Sequence, residues 1–320
     1  MKNWITALCA ASTLLAQEVE LTAPIVTNEP IFELAAPQIS SDEMELPAPK
    51  FDKAEKKIFW SVSLSYLFPG MGHAYLGDWK TASSLAGFTG ASIGMMIPRN
   101  EALRMTGLVT LQSTWSYGLY AAYRDTRNYN GNSGYKYKMP NDSFADLTYA
   151  PFRWKVMKKP EVWGGLLGAL AIASTVSYFA YPQEVRIKPN LATMDNLSPA
   201  IALPVGIGEE SLFRGFMQSS IAEATSPWGG IAVSSLVFGA AHIPNAMLLE
   251  EEDRWRYYAF SLPLITSMGA YFGWMTHKNT SIQESVALHT WYDFVLFAAS
   301  AWGPQAMITR RPQFALSVPF

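Results

Sequence analysis

Between Gly208 and Gly215 the chain reads Gly-Glu-Glu-Ser-Leu-Phe-Arg-Gly, two carboxylates and a guanidinium inside a stretch that is otherwise apolar. Later apolar segments carry two more polar pairs, each four residues apart: Phe238 with His242, and His289 with Asp293. Ionisable groups in such segments usually face a bundle interior or a wet cavity, and mark function by default. At helical spacing Glu210 and Arg214 share a face and can pair. Glu209 is turned about 100° from Glu210, which leaves it free to face the bundle centre. A glutamate beside two imidazoles suits water activation. The carboxylate acts as general base, one imidazole shares the water proton, and a second imidazole stabilises the oxyanion of a tetrahedral intermediate. That set is suited to amide hydrolysis without a covalent nucleophile, and the serine and cysteine routes are set aside.

Two other readings use the same residues. Glu209, His242, His289 and Asp293 form an N/O set that could ligate zinc. The preferred reading has no metal and no cofactor, with zinc as the alternative. The second is a non-catalytic membrane scaffold or a bacteriocin-immunity-type protein, in which the polar groups only tie helices together. Interhelical hydrogen bonds in membranes average about 0.6 kcal/mol, a small return for burying so many ionisable groups.

These residues need helices to position them. The chain has 320 residues, 49% hydrophobic and only 16% charged, against about 25% charged in an average globular domain. The expected fold is an all-α polytopic membrane protein with about eight transmembrane helices and its active site within the C-terminal helix bundle. The apolar segments are 58–76, 81–98, 103–123, 162–181, 200–222, 228–247, 256–276 and 284–303. Each is compared with the ~20 residues a spanning helix needs. The motifs fall on the fifth, sixth and eighth, so these three must pack together. Gly90-x-x-x-Gly94, Gly164-x-x-x-Gly168 and Gly269-x-x-x-Gly273 have a spacing that lets membrane helices approach closely. Trp60, Trp79, Trp163, Trp228 and Trp255 lie near segment ends, as an interfacial belt requires.

Residues 1–16 read as a signal peptide, with Lys2 ahead of an apolar run too short to span a bilayer. Residues 17–56 form a Pro-containing acidic stretch of the composition that stays flexible. An N-terminal membrane-hairpin module follows at 57–128, then a basic linker at 129–161, a second membrane domain at 162–303 and a C-terminal tail at 304–320. The basic side chains around the linker place it in the cytoplasm by the positive-inside rule, while Lys53, Lys56 and Lys57 argue the other way, so absolute topology stays open. The acidic run Glu250, Glu251, Glu252 and Asp253 reads as a solvated loop. Net charge is −2 and suggests no nucleic-acid partner, and the single Cys9 excludes a disulfide framework. The expected partners are the lipid bilayer and a membrane protein or peptide substrate, and the expected location is a bacterial inner membrane, crossed several times.

Taken in order, Glu-Glu-x-x-x-Arg, Phe-x-x-x-His and His-x-x-x-Asp in successive apolar helices resemble the CAAX protease and bacteriocin-processing (Abi) family of intramembrane glutamate endopeptidases. The resemblance covers about 162–303. It implies that Glu209 activates water with help from His242, that Glu210 and Arg214 support the helix, and that His289 and Asp293 occupy the oxyanion positions. The prenyl-protein proteases of that family carry Asn where this chain has Asp293. An ionised Asp cannot donate a hydrogen bond, so Asp293 could instead orient His289, or stay protonated in an apolar site. Separately, Pro69-Gly70-x-Gly72-x-x-Tyr75-x-Gly77 resembles the turn of small bacterial membrane-hairpin domains of unknown function. His73 within it reads as structural.

Overall fold

The computed structural model describes residues 54–132, 134–180 and 199–302, excluding the side chains of 299–302. The expected signal segment 1–16, nearly all of the 17–56 stretch and the 304–320 tail lie outside the described residues. Among the described residues every regular element is helical.

The first apolar segment, 58–76, is not one helix. α1 (Ile58–Leu67) stops before Pro69, and α2 (Met71–Leu76) starts afresh from Gly70. Gly70 has φ 99°, and a Cβ there would lie 2.5 Å from the Ala82 carbonyl oxygen. At Gly72 a Cβ would meet the Ser61 carbonyl oxygen at 2.1 Å. Only glycine fits either place, which explains the Pro-Gly-x-Gly turn.

Side-chain caps start the next two helices. Asp78 accepts from the Thr81 amide to open α3 (Trp79–Met96), and Asn100 accepts from the Leu103 amide to open α4 (Glu101–Tyr129). The linker folds into α5 (Phe144–Tyr149), opened by a Ser143–Asp146 capping box, and the single turn α6 (Trp154–Met157). α7 (Pro160–Ala180) follows. α8 (Ala202–Glu210) runs into a π-helical stretch, Ser211–Gln218, and on into α9 (Ser219–Ala224). α10 (Pro227–Ala241) is capped by Ser226, with Pro227 in its first turn. α11 (Arg254–Arg256) passes through a second π stretch, Tyr257–Ser261, into α12 (Leu262–Asn279). α13 (Gln283–Trp302) closes the described chain. Two stretches, Pro160–Ala180 and Pro227–Leu248, are long and apolar enough to cross a membrane. Trp79, Phe179, Trp228 and Leu236 turn outward from the bundle, an apolar exposure that suits a lipid environment.

α4 packs against α1, α3 and α8, while α13 packs against α8 and α7, and α10 against α12. The small-residue expectation holds for one spacing of three. A Cβ at Gly90, Gly94, Gly164 or Gly168 would meet nothing within 4 Å. Gly269 and Gly273 do face neighbours: a Cβ at Gly269 would sit 3.1 Å from Arg214 Nη2, and one at Gly273 would sit 2.7 Å from Gln218 Oε1. Close packing of α4 onto the Glu-Glu helix and the π stretch after it involves glycines outside these spacings. A Cβ at Gly208 would lie 2.7 Å from Ser113, and one at Gly215 would lie 2.5 Å from the Tyr120 ring, both on α4. The acidic run is not wholly solvated either. Asp253 is buried and pairs with Arg256 at 3.2 Å, because α11 begins there.

A second polar cluster joins the N-terminal helices to α13. The buried His73 donates Nε2–H to Asp125 Oδ2 at 3.2 Å. Arg124 grips the same carboxylate through Nε at 2.7 Å and Nη2 at 2.9 Å. Burial alone would raise the Asp125 pKa, but the hydrogen bonds from His73 and Arg124 outweigh it and hold the carboxyl at about 2. Arg124 Nη1 also donates to the Asp142 carbonyl oxygen.

Candidate active site

Glu209 and Glu210 end α8, and both are buried. Glu210 Oε1 accepts from Arg214 Nη1 at 3.1 Å, the expected pair one turn apart. The same oxygen lies 2.8 Å from His289 Nδ1 on α13, so the imidazole donates Nδ1–H to Glu210. The other ring nitrogen, Nε2, faces Glu209 Oε2 at 3.6 Å and Asp293 Oδ2 at 3.4 Å. The sequence reading turned Glu209 away from Glu210. In the structure both acids converge on opposite edges of one imidazole, because the ring is wide enough to span the angle between adjacent helical positions. Glu209 Oε2 accepts no hydrogen bond from the protein.

Phe272 on α12 stacks on His289, with ring centroids 5.3 Å apart and 24° between planes, and Phe238 meets it edge-on at 6.2 Å. Phe238 also contacts the His242 ring at 4.6 Å and lies 4.2 Å beneath the Arg214 guanidinium. Phe238 is thus the shared wall between the two histidines, and a cation–π platform for a fully buried arginine. His242 is the C-cap of α10. Its Nδ1 lies 2.8 Å from the Phe238 carbonyl oxygen, which can only accept. The proton therefore sits on Nδ1, and in the neutral ring Nε2 carries the lone pair. The buried Tyr257, in the second π stretch, donates its hydroxyl to the His242 carbonyl at 3.0 Å.

The structure thus places Glu209, Glu210, Arg214, Phe238, His289 and Asp293 in one continuous set of contacts, with His242 joined to it through Phe238. Sequence reasoning missed the Glu210–His289 bond, Tyr257 and the π turn that follows the two acids. Wide turns of this kind frequently mark functional sites. The Gly208 and Gly215 positions flanking the motif were the available signal for the close approach of α4.

One serine sits in a nucleophile-elbow spacing, Gly90-Ala91-Ser92-Ile93-Gly94, which the sequence reading overlooked. Ser92 lies inside α3, and its hydroxyl donates back to the Phe88 carbonyl at 2.8 Å. It does not occupy the strand-to-helix turn that exposes such a nucleophile. Among the described residues no group of three or more His, Cys, Asp or Glu is arranged to hold a metal ion.

Residues 197–295 match the Rce1-like family of type II CAAX prenyl endopeptidases. The match takes in all three motifs and supports the resemblance drawn from them. No curated protein and no solved structure matches the chain.

Proposed function

We propose that this chain is an intramembrane endopeptidase that hydrolyses peptide bonds of membrane-associated proteins or peptides with water activated by Glu209. The observation that carries the reading is the placement of His289 between consecutive acids inside an apolar bundle. Glu210 pins one edge of the ring, and Glu209 faces the other with a carboxylate oxygen that accepts no hydrogen bond.

In the proposed cycle a water molecule sits against Glu209 Oε2 and accepts orientation from His242 Nε2. Glu209 takes a proton as the water oxygen bonds to the substrate carbonyl carbon. The carbonyl oxygen then carries negative charge, and His289, protonated on both nitrogens between Glu210 on one side and Glu209 and Asp293 on the other, offers its Nε2–H to it. The C–N bond breaks as Glu209 returns the proton to the leaving amine. Asp293 orients His289 from the side, and Glu210 with Arg214 fixes the opposite edge. No residue forms a covalent bond to substrate and no cofactor takes part.

The site lies within the C-terminal bundle of a protein that crosses a bacterial inner membrane about eight times. This topology rests on the apolar segments of the sequence.

The test is a comparison of new peptide termini in membranes from cells expressing wild-type protein or Glu209→Gln at matched levels. Termini that require Glu209 are expected, and their yield falls by at least about a hundredfold in the variant, the usual contribution of a general base. Equal termini from two folded, abundant proteins would move the assignment to the non-catalytic scaffold or immunity reading. Loss of these termini on chelation, with recovery on added zinc, would favour the metal-dependent alternative.

A further inference from the structure

Asp142 lies in the linker, far in sequence from every motif, yet it is buried and holds the start of α13. Its Oδ2 accepts the Ile282 amide at 2.8 Å. Its Oδ1 accepts the Ser281 hydroxyl at 3.0 Å and Gln283 Nε2 at 2.7 Å. A carboxylate at a helix N-terminus is ordinarily supplied by the helix's own flanking residue. Here α13 already has a local cap, since Ser281 Oγ accepts the Gln283 amide at 3.1 Å. A second cap from a distant segment therefore does something besides satisfying orphan amides.

The backbone of Asp142 is held as firmly as its side chain. Its amide donates to the Tyr120 hydroxyl at 2.9 Å, and its carbonyl accepts Arg124 Nη1. Tyr120 is fully buried on α4, with its ring against Gly215 in the π turn that follows Glu209 and Glu210. One residue thus connects the support beneath the two acids to the first turn of the helix that carries His289. His289 lies six residues into α13, about 9 Å along its axis. A slip of about 1 Å along the Nδ1···Oε1 line would take the ring out of hydrogen-bond range of Glu210.

We infer that Asp142 is a positioning residue, which sets the axial register of α13 against α8 and so places His289 between Glu210 and Glu209. The catalytic consequence rests on the endopeptidase reading above; the register itself does not.

The experiment uses the full-length protein in detergent, labelled with 15N-histidine, with its four histidines assigned by single substitution. Asp142→Ala is expected to displace the His289 ring resonances while leaving those of His73 and His277 in place. It is also expected to lower the yield of Glu209-dependent termini by about ten- to a hundredfold, the scale of an ångström-level misplacement. Asp142→Asn keeps an oxygen acceptor for the Ile282 amide and is expected to fall between Asp142→Ala and wild type. The deciding variant is Asp142→Ala with Ser281→Asp, which restores a carboxylate cap from the residues flanking α13 but not the side-chain link from α13 to the residue-142 backbone, which stays bonded to Tyr120. Thermal stability is expected to recover while the His289 resonances and the termini stay altered. Recovery of all three by Ser281→Asp would reduce Asp142 to a helix cap and overturn the inference. So would an unmoved His289 signal in Asp142→Ala. If Glu209→Gln leaves the termini unchanged, the endopeptidase reading fails, and the His289 resonances still decide the register question.

Discussion

Glu210 Oε1 sits 2.8 Å from His289 Nδ1 and 3.1 Å from Arg214 Nη1, so one carboxylate oxygen joins the Glu-Glu helix to α13 and to its own next turn. The position is buried. Glu209, one residue earlier, meets the same ring from the other side without a hydrogen bond. Adjacent acids of the same chemical type therefore divide into one that holds the ring and one that is free to act.

That division predicts different stabilities for two isosteric changes. Glu210→Gln leaves the buried Arg214 without its counter-charge, and breaking one partner of a buried pair costs about 3–5 kcal/mol. Glu209→Gln removes no hydrogen bond. Thermal unfolding in detergent should show a large drop in midpoint for Glu210→Gln and little change for Glu209→Gln, although both lose the Glu209-dependent termini. Equal midpoints would mean that Glu210 is not the structural member of the pair.

Asp293 Oδ2 lies 3.4 Å from His289 Nε2 and acts as an acceptor that steers the ring. Asparagine retains an oxygen for that contact and adds a donor. Asp293→Asn should keep cleavage within about tenfold of wild type, since a neutral hydrogen bond is weaker than a charged one by roughly 1 kcal/mol. Asp293→Ala should lose considerably more. Comparable loss in both would show that the negative charge, not ring orientation, is what the site requires.

The site was legible because its residues are chemically out of place. Glu209, Arg214, His242 and Asp293 stand out against apolar flanks, and the four-residue spacings fix which share a face. The Pro69–Gly72 turn was legible for a similar reason, since a helix cannot pass it unbroken. The joint grip of two neighbouring acids on one ring was not legible, because helical rotation says where side chains point and not how far across a partner ring reaches. Asp142 was also hidden. Its role exists only through the Tyr120 contact, 22 residues away, and the Ile282 contact, 140 residues away. The glycine spacings failed at Gly90 and Gly164 because a small-residue pattern permits close packing without requiring a partner.

The glycines give a packing prediction with an internal control. Gly208→Ala and Gly215→Ala place a methyl group 2.7 Å from Ser113 and 2.5 Å from the Tyr120 ring. Neither neighbour is a flexible chain end, so overpacking should cost about 1–3 kcal/mol each. Gly164→Ala and Gly168→Ala meet open space inside α7, where replacing a helical glycine gains up to about 1 kcal/mol. Unfolding midpoints should move down for the first pair and stay level or rise for the second. A drop for Gly168→Ala would reveal a partner on that face that the isolated chain does not display.

Asp125 supplies a pH dependence outside the apolar segments. It lies two residues beyond the 103–123 stretch, and the bonds from His73 and Arg124 keep its pKa at about 2 despite burial. An unfolded Asp titrates near 3.9 (about). The folded pKa is the lower one, so the unfolded chain binds the proton first as pH falls. The ionised carboxylate therefore contributes its full stability above pH ~4 and loses it progressively as pH drops from there towards about 2. Asp125→Asn removes this contribution at every pH. The unfolding midpoints of wild type and Asp125→Asn should be well separated at pH 6 and should converge as pH falls through that acid window. A constant gap across the window would mean that Asp125 is not held by the His73 and Arg124 contacts, and that the hairpin is anchored to α4 by the packing of α1 instead.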